Sequence, residues 1–167
     1  MTESTKDHAP WWRGERGEWY VVVQGVLFVL IGLGPRSWPG APEWGATLSA
    51  VATWTGVALV LAGAPLAVAG LLALGPSLTA LPYPTDDARL IEVGPYAIVR
   101  HPIYTGLIFS AMGWGLYLHA WLTLAFACAL FVLFDLKSRR EEEWLCERFP
   151  AYAEYKTRVK KLVPWVY

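Results

Sequence analysis

Arg100 and His101 stand side by side in the run Gly94-Pro95-Tyr96-Ala97-Ile98-Val99-Arg100-His101-Pro102-Ile103-Tyr104-Thr105-Gly106, directly before the chain turns apolar. A guanidinium and an imidazole at the mouth of an apolar, membrane-like segment are costly without polar partners, which marks the run as a functional site. A complement lies further on. The sequence Lys137-Ser138-Arg139-Arg140-Glu141-Glu142-Glu143 sets three adjacent carboxylates just beyond the same apolar stretch. One cluster supplies cations and donors, the other anions. A zwitterionic ligand such as an amino acid moiety suits that pairing, with its carboxylate on Arg or His and its ammonium on Glu. Each cluster taken alone has a plainer explanation. Acids suit the first turn of a solvated helix, and a His beside Pro102 can simply hydrogen-bond within a turn. A metal site is not expected, because one well-placed His has no carboxylate at helical spacing and Asp86 and Asp87 lie apart in a polar connection. Nucleophilic hydrolysis is equally disfavoured, since no Ser or Cys stands in an elbow beside a base.

The elements that must position these residues are membrane helices. Hydrophobic residues make up 55% of the 167 and charged residues 17%, against roughly 25% charged in an ordinary soluble domain. Ten Trp and eight Tyr suit the boundary between bilayer and water. The 14 Lys and Arg balance the 14 Asp and Glu, so no basic excess calls for a nucleic acid partner. Cys128 and Cys146 have neither metal nor disulfide spacing.

Residues 1–18 are charged and carry Trp11 and Trp12; they read as an interfacial segment, not a secretory signal. Trp19–Gly34 reads as a first span in which Gln24 alone interrupts the apolar side chains, short for a bilayer of roughly 30 Å. Residues 35–46 form a Pro- and Gly-rich loop, and Thr47–Leu74 a second span. Pro65 should kink that span, and Gly56, Gly63 and Gly70 should give it one close-packing face. Residues 75–102 form a long connection with five Pro, too long to be casual. Ile103–Leu136 would be roughly 51 Å as one helix, so it should fold back near 117–121 into a tight hairpin. Gly106, Ser110 and Gly113 then line the first arm, and a groove beside Gly106 and Gly113 is a candidate entry for a lipophilic substrate.

The tail 137–167 reads as two short amphipathic helices parted near Pro150, lying on the membrane surface or capping the bundle. The expected architecture is therefore all-α and integral to the membrane. It comprises a segment 1–18, two transmembrane helices in 19–74, and a third region 75–167 holding loop, helical hairpin and cap. With about four spans, every Lys and Arg except Arg36 falls on one side. The positive-inside rule makes that side, with both termini and the 100–101 pair, cytoplasmic.

The run GPYAIVRHPIYTG resembles the signature of the isoprenylcysteine carboxyl methyltransferase and phospholipid methyltransferase group of integral membrane enzymes. Glu141, Glu142, Leu145 and Phe149, then Tyr152, Tyr155, Arg158 and Pro164, are similar to that group's C-terminal block. Leu74 to Thr79 with Pro82 and Pro84 resembles its bacterial members. The likeness covers about residues 74–165. Pro150 departs from it, standing where the family often has Gly. The resemblance implies S-adenosylmethionine bound by His101, Pro102, Tyr104, Gly106, Glu141 and Glu142, with the register among Glu141, Glu142 and Glu143 left open. It implies Arg100 and Arg158 as catalytic residues that hold and orient an acceptor carboxylate. The expected partners are a lipophilic acceptor reached from the bilayer and the membrane lipids themselves, with no nucleic acid and no metal. The expected location is a bacterial inner membrane with the active site cytoplasmic. The competing expectations are an NADPH-dependent membrane reductase on a related scaffold and a small non-enzymatic membrane protein.

Overall fold

The computed structural model describes residues 17–75 and 90–167. The N-terminal segment with Trp11 and Trp12, and the part of the connection from Pro76 to Arg89 with its prolines and Asp86 and Asp87, lie outside the described residues. Among the described residues six helices follow in order: α1 Glu18–Leu33, α2 Ala46–Leu74, α3 Pro95–Ile98, α4 Pro102–Tyr117, α5 Trp121–Arg148 and α6 Tyr152–Arg158. No strand occurs among the described residues. Two of the helices, α2 and α5, are long and apolar enough to cross a membrane, and α1 is a shorter apolar helix. Their large apolar side chains point outward in number, Val26, Val29, Trp54, Leu61, Val68 and Leu72 among them, as lipid-facing helices require.

α1 packs on α5, α5 on α4 and α4 on α2, so the first two helices flank the hairpin from opposite sides. The core between α1, α4 and α5 is Leu27, Ile31, Ile108, Ala111, Ala127, Leu130 and Phe134. The hairpin turns at 118–120 as expected, with His119 at φ 51° and the Ala120 amide donating to the Gly115 carbonyl (2.9 Å). Pro102 opens α4 at its first turn, where a preset φ and a missing N–H cost nothing.

Glycines govern the α2–α4 contact. A Cβ on Gly56 would lie 2.5 Å from the Gly113 carbonyl oxygen, and one on Gly63 2.6 Å from that of Gly106. Gly106 in turn meets the Gly63 and Ala67 backbone. The groove expected beside Gly106 and Gly113 is therefore not there. Those two faces are closed by α2, because backbone contact along the whole crossing leaves no room for a ligand.

The tail differs from expectation in one respect. α5 runs unbroken from the apolar stretch through Lys137 and the three Glu to Arg148, so the first tail helix is an extension of the hairpin's second arm. Only α6 is separate. At the far end of the bundle Trp44 stacks on Trp121 (4.4 Å between ring centroids), and the His119 Nε2 lies 3.0 Å from the Thr53 hydroxyl.

Candidate functional site

The site forms where the C-terminal end of α2, the start of α4 and the polar extension of α5 meet. Two signals in the chain place the 94–106 run there. Gly94 takes φ 63°, a conformation that suits Gly. Pro95 and Pro102 start α3 and α4, leaving Val99–His101 as a short non-helical link between them, extended at Val99.

The tail is docked on that link. The Arg100 and His101 amides donate to the Lys160 and Lys161 carbonyls at 2.8 and 3.2 Å. The Thr105 hydroxyl donates to the Leu162 carbonyl (2.8 Å), and the Tyr155 hydroxyl to the Tyr96 carbonyl (2.6 Å). Arg100 also donates to the carbonyls of Val159 and, at 3.2 Å, Lys156. Tyr152, Tyr155 and Leu162 are almost fully buried beneath this clasp.

Glu142 closes it from the α5 side. Arg100 grips its carboxylate in a fork, Nε to Oε1 at 2.7 Å and Nη2 to Oε2 at 3.3 Å. His101 Nε2 lies 3.1 Å from Oε1, and Lys156 Nζ 3.4 Å from Oε2. Burial alone would raise the Glu142 carboxyl, but the hydrogen bonds and charges of His101 and Arg100 outweigh it and hold the pKa at about 2. One residue earlier, Glu141 accepts from the Tyr104 hydroxyl (3.0 Å) and lies 3.7 Å from His101 Nδ1. Its second oxygen has no hydrogen bond among the described residues. Aromatic rings floor the cluster: His101 stacks on Tyr104 and Tyr104 on Phe134, with centroids 5.4 and 4.5 Å apart.

The register of the three acids is thus settled in space: Glu141 and Glu142 face the Arg100-His101 run and Glu143 is exposed. Pro102 is buried at the base of the cluster, while Gly106 belongs to the α2–α4 contact. Arg158 is not brought in. More than half exposed, it reaches Glu92 at 2.9 Å. Arg100 is brought in, but its fork is spent on Glu142.

Beside the clasp opens a cavity of about 370 Å³ lined by Arg100, Glu142, Lys156, Lys160, Lys161, Val166 and Tyr167. Its rim carries four cations against one carboxylate. Lys161 is tied to Asp135, which also accepts from the Tyr167 hydroxyl at 2.8 Å and pairs with Arg139 at 2.7 Å. Sequence reasoning gave no role to Lys156, Lys160 and Lys161, although three lysines within six residues of a charged tail are a legible signal. It gave none to Tyr152 either, whose buried hydroxyl has no partner among the described residues. Burial, then the charge of Glu142, raises that phenol well above its usual range, so it stands as a neutral donor. No group of three His, Cys, Asp or Glu able to hold a metal ion occurs among the described residues.

Comparison with known proteins bears on this geometry. Residues 51–151 match the family model described as phospholipid methyltransferase. The chain is 30% identical over 156 residues to the cobalt-zinc-cadmium resistance protein CzcN of Cupriavidus metallidurans, a match covering 89% of this chain and 62% of that one. It is 37% identical over 83 residues to the protein-S-isoprenylcysteine O-methyltransferase of Saccharomyces cerevisiae, covering 48% and 35% respectively. The structure of the eukaryotic intramembrane Ras methyltransferase ICMT superposes with a TM-score of 0.61 at 23% identity, over 91% of this chain and 54% of that one. That likeness is one of fold. The chain spans less than two thirds of the length of each of these relatives.

Proposed function

This chain belongs to the phospholipid methyltransferase family of membrane enzymes, and from that premise we propose that it transfers a methyl group from S-adenosylmethionine to a lipophilic acceptor held in the bilayer. The observation that carries the reading is the clasp itself. Arg100, His101 and Tyr104 meet Glu141 and Glu142 across about forty residues of sequence, beside a cavity whose volume of about 370 Å³ falls in the range of small-molecule sites, roughly 300–1,000 Å³.

The residues fit a zwitterionic donor. Glu141 has one oxygen without a hydrogen bond among the described residues, open to an ammonium, and Lys160, with Lys156 beside Glu142, offers donors to a carboxylate. The buried Tyr152 hydroxyl, without a hydrogen-bond partner among the described residues, is a further polar donor beneath the clasp. Bound here, S-adenosylmethionine would supply a methyl group on a sulfonium, an electrophile that needs no metal. Glu142 holds Arg100 and His101 in place and so fixes the tail over the site, which excludes water and aligns the reactants. Alignment of this kind is worth about 7–11 kcal/mol. An acceptor carboxylate is already ionised at neutral pH and needs no general base.

The same reading has α1, α2, α4 and α5 span the membrane, with the clasp, the tail and the termini cytoplasmic by the positive-inside rule, in a bacterial inner membrane. α1 and α4, at 16 residues each, imply local thinning or close packing against longer neighbours. Family membership does not favour the NADPH reductase or the non-enzymatic reading. The test is transfer of radiolabelled methyl from S-adenosylmethionine into organic-extractable material by membranes containing the chain. Label above that of vector-only membranes, lost in Glu141→Gln, is expected; no label with any lipid extract or prenylcysteine acceptor would overturn the proposal.

A further inference from the structure

The two arginines expected to hold an acceptor's anionic group are both committed elsewhere, Arg100 to Glu142 and Arg158 to Glu92. One buried cation is not. Lys137 lies on α5 where the apolar stretch ends, with 2% of its surface exposed. Its ammonium donates to the Gln24 Oε1 at 2.9 Å, a neutral amide and the one amide side chain in the aliphatic and aromatic stretch from Trp19 to Leu33 of α1. It lies 5.2 Å from the centre of the Tyr104 ring and 5.9 Å from that of Phe134. The Glu141 carboxylate, one turn along α5, gives one oxygen to Tyr104, and no carboxylate lies within ion-pair distance of Lys137 among the described residues. Lysines are almost never fully buried unless paired, and at the edge of a bilayer an unpaired one is a functional residue by default.

We propose that Lys137, braced by Gln24, seats the anionic head of a lipophilic acceptor that enters between α1 and α5. The inference rests on the methyl-transfer reading above. Three features place the head there. The ammonium keeps two donor hydrogens after Gln24 and faces the same aromatic floor, Tyr104 and Phe134, that underlies Glu141 and His101. α1 has its substantial helix contact with α5, while the outward faces of α1 and α5 carry exposed apolar side chains such as Val26, Val29 and Val132, so lipid borders this pair of helices. Lys156 and Lys160, by contrast, are exposed on the tail and suit a water-soluble anion. The shared chemistry is an oxyanion on an apolar tail, either the carboxylate of a prenylcysteine or the phosphate of a lipid.

The test uses the full chain in non-ionic detergent and three probes: N-acetyl-S-farnesylcysteine, its neutral amide, and dodecyl phosphate. Binding is read by intrinsic tryptophan fluorescence. At least one anion should bind about tenfold or more tightly than the amide. Gln24→Glu gives the ammonium an internal carboxylate; it should raise the melting temperature and erase that preference while leaving the amide unaffected. Lys137→Met should erase it too. Whichever anion shows the loss identifies the head. Equal binding of acid, phosphate and amide, or a preference that survives Gln24→Glu, overturns the proposal. S-adenosylhomocysteine is titrated into the same samples. Failure of that ligand with the anion preference intact counts against methyl transfer alone, whereas its binding without any anion preference counts against the Lys137 seat alone.

Discussion

Glu142 sits where Arg100, His101 and Lys156 converge, and removing its charge strands all three. Breaking a buried pair from one side costs roughly 3–5 kcal/mol, so Glu142→Gln should lower stability by about 3 kcal/mol, whereas Glu143→Gln on the exposed face should change it by less than about 0.5 kcal/mol. Chemical unfolding in micelles measures both. The pH dependence has a fixed sign. A carboxyl held near pH 2 in the folded chain and at its ordinary 4.5 in the unfolded one contributes fully above about pH 4.5, and that contribution is lost as pH falls toward 2. Wild-type melting temperatures should therefore drop more steeply below about pH 4.5 than those of Glu142→Gln; parallel curves would contradict the clasp. The sequence already showed that opposite charges awaited each other at these positions. It could not show that they would neutralise one another, because the choice among three adjacent acids depends on helix phase, about 100° per residue. Nor could it show that Arg158 would turn to Glu92, since a tail residue's partner is set by where the tail docks.

At the level of the elements, the spacing of Gly56, Gly63 and Gly70 announced a close-packed face, but not that its partner would be α4. Only the folded chain pairs Gly63 with Gly106 and Gly56 with Gly113. Gly63→Leu should consequently destabilise the bundle by roughly 1–3 kcal/mol or more through overpacking. Gly25→Ala, with open space around it, should be neutral or stabilising by up to about 1 kcal/mol through helix propensity. Thermal unfolding of the two variants separates these outcomes; equal effects would sink the packing account. Loss of turnover in Gly106→Leu would report this contact and not a substrate groove. The sequence parts the tail from the last span at Lys137, where the run of charges begins. Charge marks the edge of the bilayer, not the end of a helix. No Gly or Pro falls between Trp121 and Phe149, so nothing in the backbone stops α5 before Pro150.

For the molecule as a whole, the hairpin and tail form one device, with α1 and α2 bracing it from either side. The hydropathy pattern located both ends of α1, α2 and α4 and the start of α5 to within a residue or two, since apolar runs bounded by Pro- and Gly-rich loops admit few alternatives, but it missed that α5 continues to Arg148. The docking of the tail on Val99–His101 depended on backbone hydrogen bonds that leave no mark on sequence. Removing residues 150–167 spares Glu141 and Glu142 but takes away Tyr152, Tyr155, Lys156 and the carbonyls that hold Arg100. The truncated chain should still insert in membranes, as carbonate extraction would show, yet lose at least about tenfold in ligand affinity, the equivalent of roughly 1.4 kcal/mol. The most direct test is calorimetric titration of the detergent-purified chain with S-adenosylhomocysteine. The wild type should bind, Glu143→Gln should bind within about twofold of it, and Glu141→Gln should lose about tenfold or more, as expected when a charge-assisted hydrogen bond worth roughly 1.5–3 kcal/mol is removed. Absence of binding by the wild type, or equal affinity in all three proteins, would contradict the account.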